Sequence, residues 1–387
     1  MLNQINLKSI RTLFILLIAG VLLSSCAPCL IEWDQLPEDR HPNWIMFGGN
    51  EARTQYSPGD IALPLKPAWE EGIGSAVGKS LIAADGILYF GTKDGRIHSR
   101  KITTGEGICN EKMTFASTCC YSQNHLYIAR RYGSETLYGL NLREGKYEWE
   151  IDAGDIASEP LITSNSIIVA ALYNHIDLYT MNSGVKIWTY DTEDQIRSSP
   201  ARAGNKIIFG CDDSYVYAVS YGSGDLIWKF ETGAAVQANP VIDLKNNLVL
   251  IGSSDFNFYA LDLEDGTLIW KYETSGYILN GAALADEKIV FSSNDKKLHC
   301  LNSINGEKIW TTECEAVVGT NPLIAGDYVF WGGLDHRLYA ASLATGKIEW
   351  EFKTDGRVRT TPIVWGDYLL AASEDDKIYA FIPELKQ

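Results

Sequence analysis

The cysteine at position 26 is the first residue whose type and surroundings suggest a defined chemical reaction. It follows the sequence Leu23-Ser24-Ser25, and an apolar run over residues 13–23 precedes it after two basic residues. This order is typical of a bacterial lipoprotein signal, in which the cysteine thiol accepts a diacylglycerol. The apolar run is about half as long as a membrane-spanning helix. We therefore predict a signal peptide over residues 1–25, lipidation of Cys26 and a tether over residues 26–43.

The other chemically active residue types do not form a catalytic or metal-binding pattern. Cys26 and Cys29 alone have CxxC spacing, and the sequence contains neither HExxH nor GxSxG. Ser293 and Lys296 match SxxK, but they fall in a predicted turn. The segment 262–266 is acidic but lacks the ligand spacing of a calcium loop. We predict no catalytic residue and no metal site.

The charge of the chain restricts its partners. The formal net charge is −16, and removal of residues 1–25 would change it to −18, because that segment has two positive charges and no negative ones. An acidic surface is repelled by nucleic-acid phosphates and by anionic lipid head groups. We therefore predict that nucleic acid is not a partner and that the protein meets the membrane through its lipid.

The elements that must position any site are set by an internal repeat of about 40 residues. Tryptophans recur at this period, and a glycine precedes each of the last six by four residues. Proline recurs in a fixed phase with them, at positions such as Pro160 and Pro200. His98 and His299 fall where other units have tyrosine, so we interpret them as packing residues. The predicted structural tryptophans are Trp69, Trp149, Trp188, Trp228, Trp270, Trp310 and Trp350.

Each unit contains four short runs rich in Val, Ile, Tyr and Phe, separated by Gly, Asp and Asn, which is typical of strands joined by hairpins. A single four-stranded sheet has two apolar faces, and radial stacking buries both. The last unit ends after its third strand, and the segment 63–69 supplies a tryptophan strand without the three before it. We predict an all-β fold, an eight-bladed β-propeller over residues 63–387, closed by this N-terminal strand, with a lead-in segment at 44–62.

The units resemble the PQQ-like repeat. The sequence Tyr259-Ala260-Leu261-Asp262 with Gly266 and Trp270 is close to the pattern YALDxxTGxxxW, and the likeness covers residues 63–382. The lead-in segment is similar to that of quinoprotein dehydrogenases. Two branches of this superfamily are relevant: quinoprotein alcohol dehydrogenases, which hold PQQ and calcium in a central channel, and non-catalytic lipoproteins similar to BamB, an outer-membrane barrel assembly factor. Fold alone does not choose between them.

Each branch implies different site residues. The dehydrogenases have adjacent cysteines that form a disulfide over the cofactor, so the resemblance implies a disulfide between Cys119 and Cys120; the alternative is that both are buried structural residues. In the BamB-like branch, the loop after the fourth tryptophan strand contacts the barrel protein through an aliphatic residue and an arginine. Ile196 and Arg197 match these in type and place.

Exposed loops between each tryptophan and the next proline supply further candidates. We expect Arg357 and Arg359 to form a basic spot and Tyr277 to provide an aromatic anchor, because arginine and tyrosine are frequent in interface hot spots. Like Ile196 and Arg197, they are predicted partner-binding residues.

The function that fits these features is a non-catalytic scaffold without a cofactor. We expect it to be anchored in the outer membrane, to face the periplasm, and to bind an envelope protein such as a barrel assembly component. Ala27 is compatible with this sorting, because it is not the aspartate of inner-membrane retention. Two alternatives remain: a quinoprotein-like binder of PQQ with calcium or of another small ligand, and a surface propeller that binds polysaccharide or builds the envelope.

Overall fold

The propeller predicted from the repeat is present in the computed structural model, which describes residues 41–59, 61–113 and 117–384. Within these ranges every regular element is a β-strand. The strands form eight sheets, and each sheet is one blade of a ring. Seven blades contain four antiparallel strands only, and one has a fifth strand, which is parallel to its innermost strand. The predicted fold class is confirmed.

The strands of a blade follow one another outward from the central axis. Blades 1 to 4 consist of β3 (Ile82–Ala84), β4 (Ile87–Gly91), β5 (Arg96–Lys101) and β6 (Gly107–Lys112); β7 (Ser117–Ser122), β8 (His125–Arg130), β9 (Leu137–Asn141) and β10 (Lys146–Ile151); β11 (Leu161–Ile162), β12 (Ser166–Ala171), β13 (His175–Thr180) and β14 (Lys186–Asp191); and β15 (Ala201–Ala203), β16 (Lys206–Gly210), β17 (Tyr215–Ser220) and β18 (Leu226–Glu231).

The remaining blades repeat this plan and include the two N-terminal strands. Blades 5 to 8 consist of β19 (Val241–Asp243), β20 (Leu248–Gly252), β21 (Asn257–Asp262) and β22 (Leu268–Glu273); β23 (Ala283–Ala285), β24 (Lys288–Ser293), β25 (Lys297–Asn302) and β26 (Lys308–Glu313); β27 (Leu323–Ala325), β28 (Tyr328–Gly332), β29 (Arg337–Ser342) and β30 (Ile348–Lys353), with β1 (Tyr56–Ser57); and β31 (Ile363–Trp365), β32 (Tyr368–Ser373) and β33 (Lys377–Pro383), with β2 (Leu65–Gly72).

Strand β2 closes the ring. It pairs antiparallel with β33 from Leu65 opposite Pro383 to Gly72 opposite Lys377, and so becomes the outermost strand of blade 8. This is the predicted closure by the N-terminal strand. It joins the two ends of the propeller through ladder hydrogen bonds.

The repeated glycine and tryptophan meet between blades, not within one. Trp228 on the outer strand of blade 4 donates its indole N–H to the Leu263 carbonyl of blade 5 at 3.1 Å. Gly266 of blade 5 lies against the same ring, and a Cβ there would approach the Trp228 ring to 2.6 Å. Its φ of +74° also favours glycine. Six of the repeated glycines each accommodate the tryptophan of the preceding blade: Gly105, Gly184, Gly224, Gly266, Gly306 and Gly346. The other predicted tryptophans donate in the same way: Trp69, Trp149, Trp188, Trp270, Trp310 and Trp350.

The lead-in segment crosses one face of the ring next to the axis. It exchanges backbone hydrogen bonds with one residue from each of six inner strands: Ala83, Tyr121, Arg202, Ile242, Leu284 and Ile324. The chain enters this face near the turn that joins the first two strands of blade 1, where Asn43 hydrogen-bonds to Asp85. We call this face the base and the opposite face, which carries the loops between blades, the mouth face.

Candidate functional site

The central channel of the propeller is a cavity of about 630 Å³ that opens on the mouth face. All eight blades contribute to its wall, and Phe47 of the lead-in segment also lines it. This volume lies within the range typical of small-molecule and peptide-side-chain sites. Because the lead-in segment crosses the base, the cavity has its entrance at the mouth face.

Arg53 occupies the floor of the channel. Its side chain is 1 % exposed, and its guanidinium donates to the carbonyls of Pro200 at 2.9 Å, Glu159 at 2.9 Å and Pro160 at 3.0 Å, as well as to Phe47. Burial lowers the pKa of Arg53 to about 10, while the nearby Glu159 charge acts in the opposite direction. The guanidinium thus ties the lead-in segment to blades 3 and 4.

A ring of polar side chains holds neighbouring blades together around the cavity. The amide of Glu159 donates to the Ser199 hydroxyl at 2.8 Å, and the amide of Ser199 donates to the Asn239 side chain at 2.6 Å. The amide of Asn321 donates to the Thr361 hydroxyl at 3.3 Å. These residues precede the repeated proline position by one, so the period brings them together at the axis. They were not predicted, although the recurrence of a polar residue one position before each repeated proline could have identified them.

Glu159 is the carboxylate of the cavity wall. It is 5 % exposed, and one carboxylate oxygen accepts hydrogen bonds from Ser80 at 2.9 Å and from Thr118. That oxygen is therefore satisfied within the protein.

The loops that line the mouth alternate between buried and exposed side chains. Arg357 and Arg359 are exposed and flank the fully buried Val358. Tyr277 is 49 % exposed and precedes the fully buried Ile278. The aliphatic residue at the middle of these loops fills the space between blades, and the residues on either side of it face solvent.

This alternation corrects one prediction. Ile196 is not an exposed contact residue: its side chain is 0 % exposed and belongs to the hydrophobic core that includes Tyr179 and Phe209. An aliphatic residue recurs at this position in other loops, which is the periodicity of a core residue. Arg197, beside it, is exposed and pairs with Asp212 at 3.0 Å. The structure thus brings Arg197 and Arg359 to the cavity wall and leaves Ile196 beneath it.

The basic side of the mouth is built by blades 8 and 1. Glu374 accepts from Lys93 at 2.7 Å and pairs with Arg357 at 2.8 Å and Arg359 at 3.6 Å. Burial favours a higher pKa for Glu374, but the hydrogen bond from Lys93 and the three positive charges outweigh it and lower that pKa. The carboxylate is therefore ionised, and one negative charge faces three positive ones.

The opposite side of the mouth is apolar. The rings of Phe256 and Tyr277 meet with centroids 5.0 Å apart, and both are more than one-third exposed. Leu279, 37 % exposed, lies two residues beyond Tyr277 and lines the cavity. Phe256 and Leu279 were not predicted, because the sequence shows their loops but not which loop residues face outward.

Comparison with known proteins identifies the family. A family model described as outer membrane protein assembly factor BamB matches residues 93–312 and 295–384. The chain belongs to this family. No curated protein matches it.

Solved structures share the family's propeller fold at low sequence identity. BamB from Moraxella catarrhalis has 19 % identity and a TM-score of 0.68, with 82 % of this chain and 100 % of that chain covered. The quinohemoprotein alcohol dehydrogenase from Comamonas testosteroni has 15 % identity and a TM-score of 0.75, with 95 % and 85 % covered. The computationally designed Ika8 protein has 15 % identity and a TM-score of 0.72, with 84 % and 100 % covered. These likenesses show the fold alone.

The cysteines do not reproduce the disulfide that the quinoprotein resemblance implies. Cys119 and Cys120 are both free and buried. They are adjacent on β7, so their side chains point to opposite faces of the sheet and enter two different hydrophobic clusters. Burial raises the pKa of Cys120 to about 12 and raises the pKa of Cys119 well above its usual value. Cys109, in the tryptophan position of blade 1, is disulfide-bonded.

The described residues also do not fit PQQ with calcium. Calcium prefers six to eight oxygen ligands, whereas Glu159 is the one carboxylate of the described cavity wall and already accepts hydrogen bonds from Ser80 and Thr118. Within residues 41–59, 61–113 and 117–384, no group of three His, Cys, Asp or Glu side chains is placed to hold a metal ion. His98 and His299 stack on Phe90 and Phe291, in the packing role expected for them.

The predicted lipidation site, Cys26, lies outside the described residues, as do the predicted signal peptide and most of the tether. In the described part of the chain, no helix is long and apolar enough to cross a membrane.

Proposed function

We propose that this protein is a non-catalytic envelope lipoprotein, attached through Cys26, that docks a partner protein on its mouth face. The partner class is a component of outer-membrane barrel assembly, and the location is the periplasmic side of the outer membrane. Membership of the family described as outer membrane protein assembly factor BamB supports this role, and the lipobox at Cys26 supports the anchor.

The observation that carries the proposal is the composition of the mouth face. Exposed Tyr277 and Leu279 stand on one side of the cavity, and exposed Arg357 and Arg359 stand on the other. Tyrosine and arginine are the side chains most enriched in interface hot spots. An apolar patch beside a basic patch, both fixed by a rigid ring, is suited to one partner surface in one orientation.

A second candidate function, small-ligand binding, is favoured by the 630 Å³ cavity. It would use the same wall without a partner protein. An absorbance or a co-purifying small molecule that remains with the purified protein would support it.

Affinity purification from detergent-solubilised envelopes tests the docking proposal. The wild type is compared with Tyr277→Ala/Arg357→Glu, and the matched control is Ile187→Ala/Arg337→Glu. Ile187 is 52 % exposed on an outer strand, so its truncation removes a similar apolar surface away from the mouth. We expect mass spectrometry to find a barrel assembly protein with the wild type and the control but not with the mouth variant. Recovery with none of the three, or equal recovery with all, overturns the proposal.

A further inference from the structure

The charge of the cavity wall is opposite to that of the chain. The chain carries a formal charge of −16, yet the described residues of the wall include five cations and one carboxylate. The charged residues of the wall are Lys79, Lys93, Arg131, Arg197, Arg359 and Glu159. A cleft of one sign within a low-dielectric wall focuses the electrostatic potential and attracts ligands of the other sign.

The cations come together because adjacent loops are bonded to each other. The Thr360 hydroxyl donates to the Gly78 carbonyl at 2.8 Å, and the Thr361 amide donates to the Lys79 carbonyl at 3.1 Å. These bonds fix the loop that carries Arg359 beside the loop that carries Lys79. These bonds thus fix the backbone position of Lys79 relative to that of Arg359.

Two of these cations have no carboxylate partner. Neither Lys79 nor Arg131 forms an ion pair with any described residue, and both are exposed at the mouth. Arg131 lies over the ring of Tyr132, with its guanidinium carbon 5.4 Å from the ring centroid. A guanidinium in this position keeps its outer N–H groups available to an incoming acceptor.

The single carboxylate of the wall does not cancel this charge at the entrance. Glu159 is buried at the axis, where Ser80 and Thr118 donate to it and the Arg53 guanidinium lies beneath it. At the floor, the positive charge of Arg53 offsets the negative charge of Glu159. At the entrance, Glu374 pairs with Lys93 and Arg359, and Asp212 pairs with Arg197. Lys79 and Arg131 therefore supply the positive charge that no carboxylate of the described residues offsets.

We propose that the central cavity is a binding site for a carboxylate-rich peptide segment of the docked partner. An extended acidic segment would place its carboxylates against Lys79, Arg131 and Arg359 and its apolar side chains against Leu279 and Tyr132, which also line the cavity. Arginine binds carboxylates through paired N–H donors. Nucleic acid fits less well, because the rest of this acidic surface repels a polyphosphate. This inference rests on the docking function proposed above and names the chemistry of the partner.

The test uses the purified full-length protein in detergent and a labelled decapeptide of alternating Glu and Leu, with binding followed by fluorescence anisotropy. The control peptide has Gln in place of every Glu. The site variant is Lys79→Glu/Arg131→Glu, and the matched control is Lys271→Glu/Lys353→Glu, which makes the same charge change on exposed residues of outer strands. Thermal unfolding of each variant checks that the fold is retained.

We expect the Glu peptide to bind the wild type and the control variant with Kd values within about twofold, and the site variant to bind at least tenfold more weakly. The Gln peptide should bind at least tenfold more weakly to the wild type. Equal binding of the two peptides, or equal weakening by both variants, overturns the proposal. Displacement of the peptide by an equimolar amount of inorganic phosphate also overturns it, because the site would then be a small-anion site.

These outcomes separate the cavity from the docking function. Loss of peptide binding in Lys79→Glu/Arg131→Glu supports the acidic-peptide site whether or not a barrel assembly protein is recovered from envelopes. Recovery of such a protein from envelopes by that same variant at wild-type levels would overturn the assignment of the acidic segment to that partner.

Discussion

Truncation of one inter-blade tryptophan should destabilise the propeller by an amount that can be worked out from its contacts. Trp228 is 7 % exposed, so Trp228→Ala removes the burial of most of a side chain of roughly 200 Å², which contributes up to about 5 kcal/mol at 25 cal/mol per Å². The compact unfolded state lowers this figure. Loss of the indole donor also leaves the Leu263 carbonyl without its partner, at about 1 kcal/mol. We expect the free energy of unfolding to fall by about 3–5 kcal/mol.

Urea denaturation followed by far-ultraviolet circular dichroism measures this change. Trp228→Phe keeps an aromatic ring but removes the indole donor, so we expect a smaller loss of about 1–2 kcal/mol. Leu226→Ala, on the same strand but 44 % exposed, is the matched control and should cost under about 1 kcal/mol. A loss below about 1 kcal/mol for Trp228→Ala, or an equal loss for Leu226→Ala, would refute the conclusion that the tryptophan packs between blades.

Two further predictions concern titration and thiol reactivity. Burial lowers the pKa of His98 to about 4 and also lowers that of His299, so the unfolded chain takes up protons between pH 6.5 and 4 that the folded chain does not. The free energy of unfolding should therefore fall as the pH drops through this window. Urea midpoints at pH 7 and pH 4.5 measure this fall, and His98→Tyr/His299→Tyr should make it smaller. A fall of the same size in the wild type and the variant would contradict the prediction. Burial raises the pKa of both Cys120 and Cys314 to about 12, so accessibility should decide which thiol reacts with iodoacetamide at pH 8. The buried Cys120 should resist, and the partly exposed Cys314 should be the first described free thiol to react. Peptide mass spectrometry checks this, and a peptide with Cys119 linked to Cys120 would contradict it.

The propeller could be predicted because its determinants recur along the chain. One glycine and one tryptophan per unit, in fixed phase, indicate strand count, blade count and closure, since each blade must satisfy the same packing problem. The same periodicity could also have shown that Ile196 is a core residue and not an exposed contact residue. Valine or isoleucine recurs at that loop position, for example Val236 and Val358, and a residue type repeated in phase is more often core than contact.

The floor of the cavity could not be predicted from the repeat. Arg53 lies outside the repeated units, and its acceptors at Glu159, Pro160 and Pro200 are more than 100 residues away. Nothing local distinguishes it from a solvated arginine. The basic entrance was found only in part, because Arg197 and Arg359 stand out in their loops, whereas Lys79 and Arg131 become neighbours of the cavity only when the ring closes.

The chain enters the propeller at its base, so the base is the face to which a membrane tether would be attached. If Cys26 carries the lipid as proposed, the 15 positions from Cys26 to His41 span at most about 50 Å. The chain joins the propeller beside the turn between the first two strands of blade 1, on the base. A propeller tethered at its base directs its mouth face away from the membrane. The membrane and the docked protein would then contact opposite faces of the propeller and would not compete for the same surface.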